Sequence, residues 1–248
     1  MTHQAPRQTR TRSQKMTAGQ FIMVSIGELL IILGLLVGGY VVWQLWWTSV
    51  QVSGGVNESI STFQAEHPVQ DTTTIAPERT DPPPAVAQPG YGETFGVLHV
   101  PKWNWMQIPI TQGIGTDVLD LGHAGHYPDT QLPGEIGNFA VAGHRRTYGN
   151  NFRRVDILEP GDPLVVETAD AYLVYEMTGN EIVDPSQWQV IAPVPNNPGE
   201  IPTQRLMTMT TCHPEFGNSE RFIVYSELKY WTSKADGIPQ VLADEPTR

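Results

Sequence analysis

The sequence has 248 residues, enough for one domain of ordinary size together with accessory segments. It holds 15 basic and 26 acidic residues, and its formal net charge of −11 argues against nucleic acid as a partner, because phosphates are bound by a basic face. The single cysteine, Cys212, cannot form an intrachain disulfide.

The N-terminal part of the chain predicts a membrane anchor. Residues 21–47 form a 27-residue apolar stretch whose only charge is Glu28, and this length exceeds the ~20 residues needed to cross a bilayer. A cleaved signal peptide is the alternative, but its apolar part is usually only ~7–15 residues long. Residues 1–20 carry basic residues and no acidic ones, so the positive-inside rule predicts a cytoplasmic N-terminus and an extracellular remainder. The basic residues are Arg7, Arg10, Arg12 and Lys15, and the aromatic residues expected at the outer interface are Trp43, Trp46 and Trp47.

Residues 48–90 predict an extracellular stalk. Thr, Pro, Gln, Ala and acidic residues dominate 54–90, which includes three consecutive prolines at 82–84. Such a composition buries little apolar surface and favours an extended chain, although 56–66 could form a short helix. The stalk is expected to hold a folded domain at 91–234 away from the bilayer, and 235–248 form a tail.

The folded domain is predicted to be mainly β. Short apolar runs punctuated by Gly and Pro are typical of strands, and about eight of them within one domain favour a closed or half-closed barrel. Short helical turns are expected at 117–121 and 152–158. The predicted strands are 95–100, 107–110, 138–143, 163–167, 172–178, 190–193, 205–211 and 222–228.

Cys212 is the strongest candidate for chemistry. It comes directly after the strand predicted at 205–211 and two residues before Pro214, so its thiol is expected to reach a cleft. An unassisted thiol, with a pKa of about 8.5, is mostly protonated at neutral pH, so a nucleophilic role requires a base and positive charge nearby. The alternative is a small buried core residue.

Among the seven histidines, His144 is the best candidate for the base. It ends the strand predicted at 138–143, so two strand-end residues on neighbouring strands would face one cleft. His213 is adjacent to Cys212, but neighbours on a strand point to opposite faces. His99 lies inside a strand and is interpreted as structural. His123 and His126 have a spacing that suggests zinc only weakly, because no further ligands complete a tetrahedral site.

Arg221 is the third candidate. It lies nine residues after Cys212, at the start of the strand predicted at 222–228. If the two strands pair as a hairpin, Arg221 faces Cys212, where its guanidinium could stabilise a thiolate or an oxyanion. A surface ion pair is the alternative. The remaining arginines nearby are interpreted as solvated charges: Arg145, Arg146, Arg153 and Arg154.

Three segments resemble the sortase family. The lead-in Gly-Asn-Phe-Ala-Val-Ala-Gly before His144 resembles the catalytic-histidine segment, and the Thr-x-Thr-Thr-Cys-His-Pro run that contains Cys212, followed by Arg221, resembles the cysteine and arginine segments. Gly-His-Tyr-Pro at 125–128 adds to the likeness. The details resemble class E sortases, the housekeeping type of high-GC Gram-positive bacteria.

The resemblance implies an eight-stranded sortase-type β-barrel and a calcium-independent cysteine transpeptidase without cofactor or metal. Such enzymes cleave a C-terminal sorting signal, LAxTG or LPxTG, between Thr and Gly and pass the surface protein to an amine of a lipid II-type cell-wall precursor. It implies that Cys212 is the nucleophile, His144 the acid and base, and Arg221 the oxyanion or substrate clamp. The residues expected in the substrate groove are Tyr127, Thr211 and Tyr148.

Two alternatives remain open. A cysteine hydrolase on the same scaffold would release its substrate instead of ligating it. A non-catalytic binding domain on a stalk would carry Cys212 as a buried and unreactive thiol.

Overall fold

The computed structural model describes residues 17–245, and within them all side chains except those of 44–51. The basic residues of 1–16 and the side chains of Trp46 and Trp47 lie outside the described residues. A single helix, α1 (Ala18–Glu66), contains the segment Ala18–Trp43, which is long and apolar enough to cross a membrane. The chain divides into two compact units, of which the first ends at Trp46 and the second begins at Trp47.

The second unit contains a closed β-barrel, in which eight strands follow one another in the order β1-β2-β3-β4-β7-β8-β6-β5 within the described residues. Most neighbours are antiparallel, but β2 with β3 and β4 with β7 are parallel. The strands are β1 (Thr94–Val100), β2 (Met106–Gln112), β3 (Ala124–His126), β4 (Gly137–Ala142), β5 (Pro163–Glu167), β6 (Ala171–Val183), β7 (Arg205–His213) and β8 (Glu220–Ser233). The short helices are α2 (Thr116–Leu119) and the 3-10 turns Pro101–Trp103, Val155–Ile157, Trp188–Ile191 and Gln240–Leu242.

Side chains of alternate residues separate the inside of the barrel from its outer face. Phe139, Met207, Met209, Phe222 and Val224 belong to the main apolar core. Because successive side chains on a strand point to opposite faces, the residues between them point outward on β4, β7 and β8. The outer face of these three strands therefore carries the even-numbered residues of β7, including Cys212.

The predicted barrel is confirmed, but two of its elements differ from the sequence prediction. The strand predicted at 190–193 is wrong, because this segment overlaps the 3-10 turn Trp188–Ile191, whose Val190 packs on Ile223 of β8. The eighth strand is β3, which joins β2 to β4 and is not among the strands predicted from the sequence. A three-residue strand is too short to show a period of two, and a short apolar run does not distinguish strand from turn.

The segment predicted to be an extended stalk packs on the barrel instead. Helix α1 continues to Glu66, and its Ile60 and Phe63 are buried against Val97 of β1. Further along, Arg79 pairs with Trp231 of β8 through their main chains. The composition of 48–90 is polar on average, but apolar residues three positions apart share one helical face, and that face suffices to bury the helix end.

A cluster of buried charges lies where β1 and β5 meet the end of α1. His99 places its two ring nitrogens 3.0 Å from Glu167 Oε2 and 3.0 Å from Glu245 Oε2. Lys234 Nζ donates to Glu167 Oε1 at 2.6 Å, and Gln64 donates to Glu167 Oε2 at 2.9 Å. A cavity of about 990 Å³ adjoins the cluster, away from Cys212, but its charged groups already neutralise one another. The interpretation of His99 as structural is confirmed.

The charge of His99 is expected to make stability depend on pH. Burial alone lowers the pKa of His99, but hydrogen bonds and charges of Glu167 and Glu245 outweigh it and raise that pKa from 6.5 to about 9. The stabilisation is therefore fully present below pH 6.5 and is lost as the pH rises through about 9. We expect the free energy of unfolding to fall by on the order of 2 kcal/mol over this range.

This dependence is measured by denaturant unfolding of the full chain in detergent micelles, followed by tryptophan fluorescence. His99→Gln is the control, because a neutral side chain carries no proton to lose in this range. The same alkaline decline in His99→Gln as in the parent chain would assign the dependence to another group.

Candidate active site

The hairpin of β7 and β8 brings Cys212 and Arg221 together. The two residues are directly paired across the antiparallel ladder, so their side chains lie on the same face. Cys212 is a free thiol that is neither buried nor fully exposed. Arg221 Nη1 donates to the main-chain oxygens of Asn218 and Glu220, each at 2.9 Å. Among the described residues, no carboxylate forms an ion pair with Arg221.

His144 reaches the same region from β4. This strand runs parallel to β7 with Ala142 opposite Thr210, and the Gly143 amide continues the pairing by donating to Thr210 O at 3.1 Å. His144 lies two residues beyond Ala142, and Cys212 lies two residues beyond Thr210. The two residues therefore occupy equivalent positions along the neighbouring chain segments. Nε2 of His144 lies 2.8 Å from Asp120 Oδ1. The chain positions of His144 and Cys212 therefore lie at the same end of the neighbouring strands β4 and β7.

Of the residues predicted to line the substrate groove, Tyr127 lies on the outer face beside Cys212 and Thr211 does not. The hydroxyl of Tyr127 lies 2.9 Å from Thr210 Oγ1, and Thr210 and Cys212 share a face. Burial raises the pKa of Tyr127. Thr211 points inward, is only 3% exposed and donates to Gly143 O at 2.7 Å, so it does not line the groove.

Tyr148, the other predicted groove residue, lies against the histidine. Its ring centroid is 5.1 Å from that of His144, with 30° between the ring planes. Its backbone φ is positive, at 49°. A residue other than glycine adopts such an angle only when its surroundings hold it there. Tyr148 therefore contacts the candidate acid and base rather than Cys212.

A family model described as Sortase domain matches residues 98–229. The chain belongs to the sortase family. It is 37% identical to Sortase SrtE1 of Streptomyces coelicolor over 96% of this chain and 66% of that relative, so it spans slightly less than two thirds of that protein. It is 34% identical to Sortase SrtE2 of the same organism, over 89% of this chain and 86% of that relative. The solved structure of the SrtA sortase from Actinomyces oris is 51% identical, with a TM-score of 0.66 over 69% of this chain and 99% of that one.

These relatives bear out the class E resemblance. Sortases are cysteine transpeptidases, and the Cys, His and Arg segments of the sequence lie in one region of the barrel.

Arg145 has a position in this sortase that the sequence did not reveal. It is only 4% exposed, so the interpretation as a solvated charge is wrong. Its Nη1 lies 3.0 Å from His213 Nδ1 and 3.4 Å from Cys212 O, and its Nη2 lies 3.3 Å from Asp156 Oδ2. The guanidinium also lies over the Phe222 ring, 5.7 Å from its centroid. Arg145 therefore fixes the main chain of the nucleophile from the face opposite the thiol.

Two further arginines join the loop after β7 to the loop after β4. Arg146 and Arg153 both reach Glu215 Oε1, at 3.0 Å and 3.2 Å. Arg146 also lies over the ring of Phe216, which is 80% exposed. Arg154, by contrast, is exposed, as predicted. The segments that carry Cys212 and His144 are thus connected outside the β-ladder as well as through it.

The remaining histidines have structural partners. His126 is buried, with Nδ1 2.6 Å from Gln112 Oε1 and Nε2 3.0 Å from Gln131 O. His123 lies 2.9 Å from Thr111 Oγ1, and burial lowers its pKa to about 4. His213 faces Arg145, as alternation along β7 predicts. In residues 17–245 no three side chains of the metal-binding types come together.

Proposed function

We propose that this chain is a class E sortase that joins surface proteins to the cell wall. It cleaves a C-terminal sorting signal of the LAxTG or LPxTG type between Thr and Gly. It then transfers the new carboxyl end, held as a thioester on Cys212, to an amine of a lipid II-type precursor. Cys212 is the nucleophile, His144 the general acid and base, and Arg221 the oxyanion or substrate clamp.

The observation that carries this proposal is the direct pairing of Cys212 with Arg221 on the outer face of the barrel. A thiol is reactive as a thiolate, and a nearby positive charge favours that form. The thiol is partly exposed, so a peptide can reach it. The parallel pairing of β4 with β7 supports a position for His144 at the same end of the two strands.

The chemistry proceeds by two acyl transfers. The thiolate of Cys212 attacks the carbonyl carbon of the Thr-Gly bond, and the C–N bond breaks with its electron pair on nitrogen, which takes a proton from His144. The incoming amine then attacks the thioester carbon and gives a proton to His144, while the C–S bond breaks and returns the thiolate. Arg221 stabilises the negative oxygen of both tetrahedral intermediates, where a fixed positive charge has most effect.

Tyr127 supports a preference for alanine at the second position of the signal. Its half-buried ring stands beside Thr210 on the face that carries Cys212. We expect the ring to narrow the path of a bound peptide next to the thiol. A narrower groove favours the smaller and more flexible alanine over proline. This preference also agrees with the class E resemblance.

The hydrolase alternative differs only in the group that resolves the thioester, and product analysis separates the two. The non-catalytic alternative requires a buried thiol, whereas Cys212 is partly exposed. Family membership likewise favours an enzyme over a binding module.

The proposal is tested with the full chain in detergent micelles and fluorescent LAxTG and LPxTG peptides. A peptide with a free N-terminal amine serves as the acceptor in one arm and is omitted in the other. We expect cleavage after Thr, a ligated product in the arm with acceptor, and a higher kcat/KM for the LAxTG peptide. Cleavage with free acid as the only product at saturating acceptor would favour the hydrolase. No cleavage of either peptide would overturn the sortase activity proposed here.

The proposed orientation places 1–20 in the cytoplasm, a span within 21–47 in the membrane, and the barrel outside the cell. Cys212 is the only cysteine and therefore reports its own side of the membrane. A membrane-impermeant maleimide is expected to label intact cells that express the chain, and not cells that express Cys212→Ala. Labelling that requires permeabilised cells would reverse the orientation.

A further inference from the structure

Asp120 contacts the candidate acid and base from a fixed position. It follows α2 directly, and its amide donates to Thr116 O at 3.0 Å, which closes the last turn of that helix. Helix α2 is held in turn by Val118, which is buried. The Asp120 carboxylate lies 2.8 Å from His144 Nε2. A short helix anchored in the core therefore delivers a carboxylate to one nitrogen of the imidazole.

The same carboxylate reaches the ring that covers His144. The charge of Asp120 and a hydrogen bond to it raise the pKa of Tyr148. Tyr148 lies against His144, with 5.1 Å between the ring centroids. The imidazole of His144 is thus bonded to Asp120 at one edge and covered by Tyr148 on one face. Asp120 bonds to both of these side chains.

This arrangement decides which ring nitrogen exchanges protons. A carboxylate only accepts hydrogen bonds, so the nitrogen beside Asp120 must carry a hydrogen in both the neutral and the protonated ring. Within the described residues, the hydrogen bonds of the His144 ring use only Nε2. The nitrogen that remains for proton transfer is Nδ1.

We infer that Asp120 is a positioning residue for His144 in the transfer reaction, which keeps the hydrogen on Nε2 so that Nδ1 exchanges protons with the reacting amines. This role rests on the function proposed above. Nδ1 gives its proton to the departing glycine nitrogen as the C–N bond breaks, and takes one from the incoming amine. The Nε2 hydrogen and the Asp120 carboxylate remain unchanged through both steps. Groups that orient metal-ligating histidines contribute about 10–100-fold, and we expect an effect of the same order for Asp120.

The test compares Asp120→Asn with the parent chain in the peptide transfer assay. An amide can donate to Nε2 as well as accept from it, so it no longer selects one tautomer. We expect kcat to fall by about 10–100-fold and KM to change by less than about twofold. Asp120→Glu, which keeps the carboxylate, is expected to recover part of the loss.

Nitrogen-15 correlation spectra of the imidazole rings report the tautomer of His144. This tautomer would not change if Asp120 had only a structural role. In the parent chain the neutral His144 ring is expected as the Nε2–H tautomer, and in Asp120→Asn as a mixture. His144→Gln assigns the signal. Asp117→Asn is the matched control, because Asp117 belongs to α2 but bonds to Tyr91 Oη at 2.8 Å instead of to His144.

The outcomes are separable. If the parent chain is active, unchanged kcat in Asp120→Asn overturns the role of Asp120 alone. The same tautomer of His144 in both chains overturns it as well. An equal loss in Asp117→Asn assigns the effect to α2 and overturns it as well. A parent chain without any transfer or cleavage overturns the proposed function, and this role with it.

Discussion

Cys212→Ala is expected to lower peptide cleavage and transfer by at least about 10³-fold, because the chain has no second thiol that could form the thioester. The thiol lies at a strand end and is only partly buried, so its loss is expected to leave the fold intact. The measurement is kcat/KM with an LAxTG peptide, together with the intact mass of the chain after a short incubation without acceptor. The parent chain should gain the mass of the acyl group, and Cys212→Ala should not.

Cys212→Ser is the matched variant for this prediction. It keeps a nucleophilic atom in the same place but replaces the thiol with a hydroxyl, which is far less ionised near neutral pH. Thermal unfolding of all three chains in micelles reports whether the barrel persists. Substantial turnover in folded Cys212→Ala would remove Cys212 as the nucleophile.

Arg221→Ala is expected to lower kcat/KM by about 10²–10³-fold, the usual effect of removing one group that stabilises an oxyanion. In the part of the chain that the structure describes, Arg221 donates to two main-chain oxygens on its own side. It is paired across the ladder with Cys212, so its charge can act on a negative oxygen formed there. Arg221→Lys retains the charge without the planar fork and is expected to recover only part of the activity. The assay is the same peptide cleavage under conditions where substrate is not saturating.

Arg154→Ala is the control for charge alone. Arg154 is exposed and is not part of the proposed machinery, so its loss is expected to change kcat/KM by less than about twofold. Equal losses in Arg154→Ala and Arg221→Ala would mean that net charge steers the substrate. Unchanged kcat/KM in Arg221→Ala would remove Arg221 from the mechanism.

Local sequence patterns were sufficient to predict the strand ends that carry Cys212, His144 and Arg221. Alternation places Cys212 and His213 on opposite faces, and the spacing from Cys212 to Arg221 fits a short hairpin whose pairing the structure contains. These relations involve only residues within one strand or one hairpin. The pairing of β4 with β7 spans a longer loop, but two buried strands that end in polar residues already suggest a common edge.

The contacts that the sequence did not reveal all depend on partners from distant parts of the chain. Asp120 belongs to a loop between short elements, and nothing in its neighbourhood marks it as a partner of His144. Arg145 resembles Arg146 in sequence, yet alternation after β4 directs one guanidinium under Cys212 and the other to Glu215. The polar composition of 48–90 likewise conceals the few apolar side chains that fix its helical part to β1.

The hairpin pairing of Cys212 with Arg221 does not depend on the length of the segment between them. The ladder of β7 and β8 ends at the pair His213 and Glu220, so residues 214–219 form a connection outside it. Changes there that keep Glu215 and the main chain at Asn218 would leave the ladder pairing of the two reactive residues in place. This connection exposes Phe216 to solvent, and it is therefore a place where the length of the loop can change while the chemical steps stay the same.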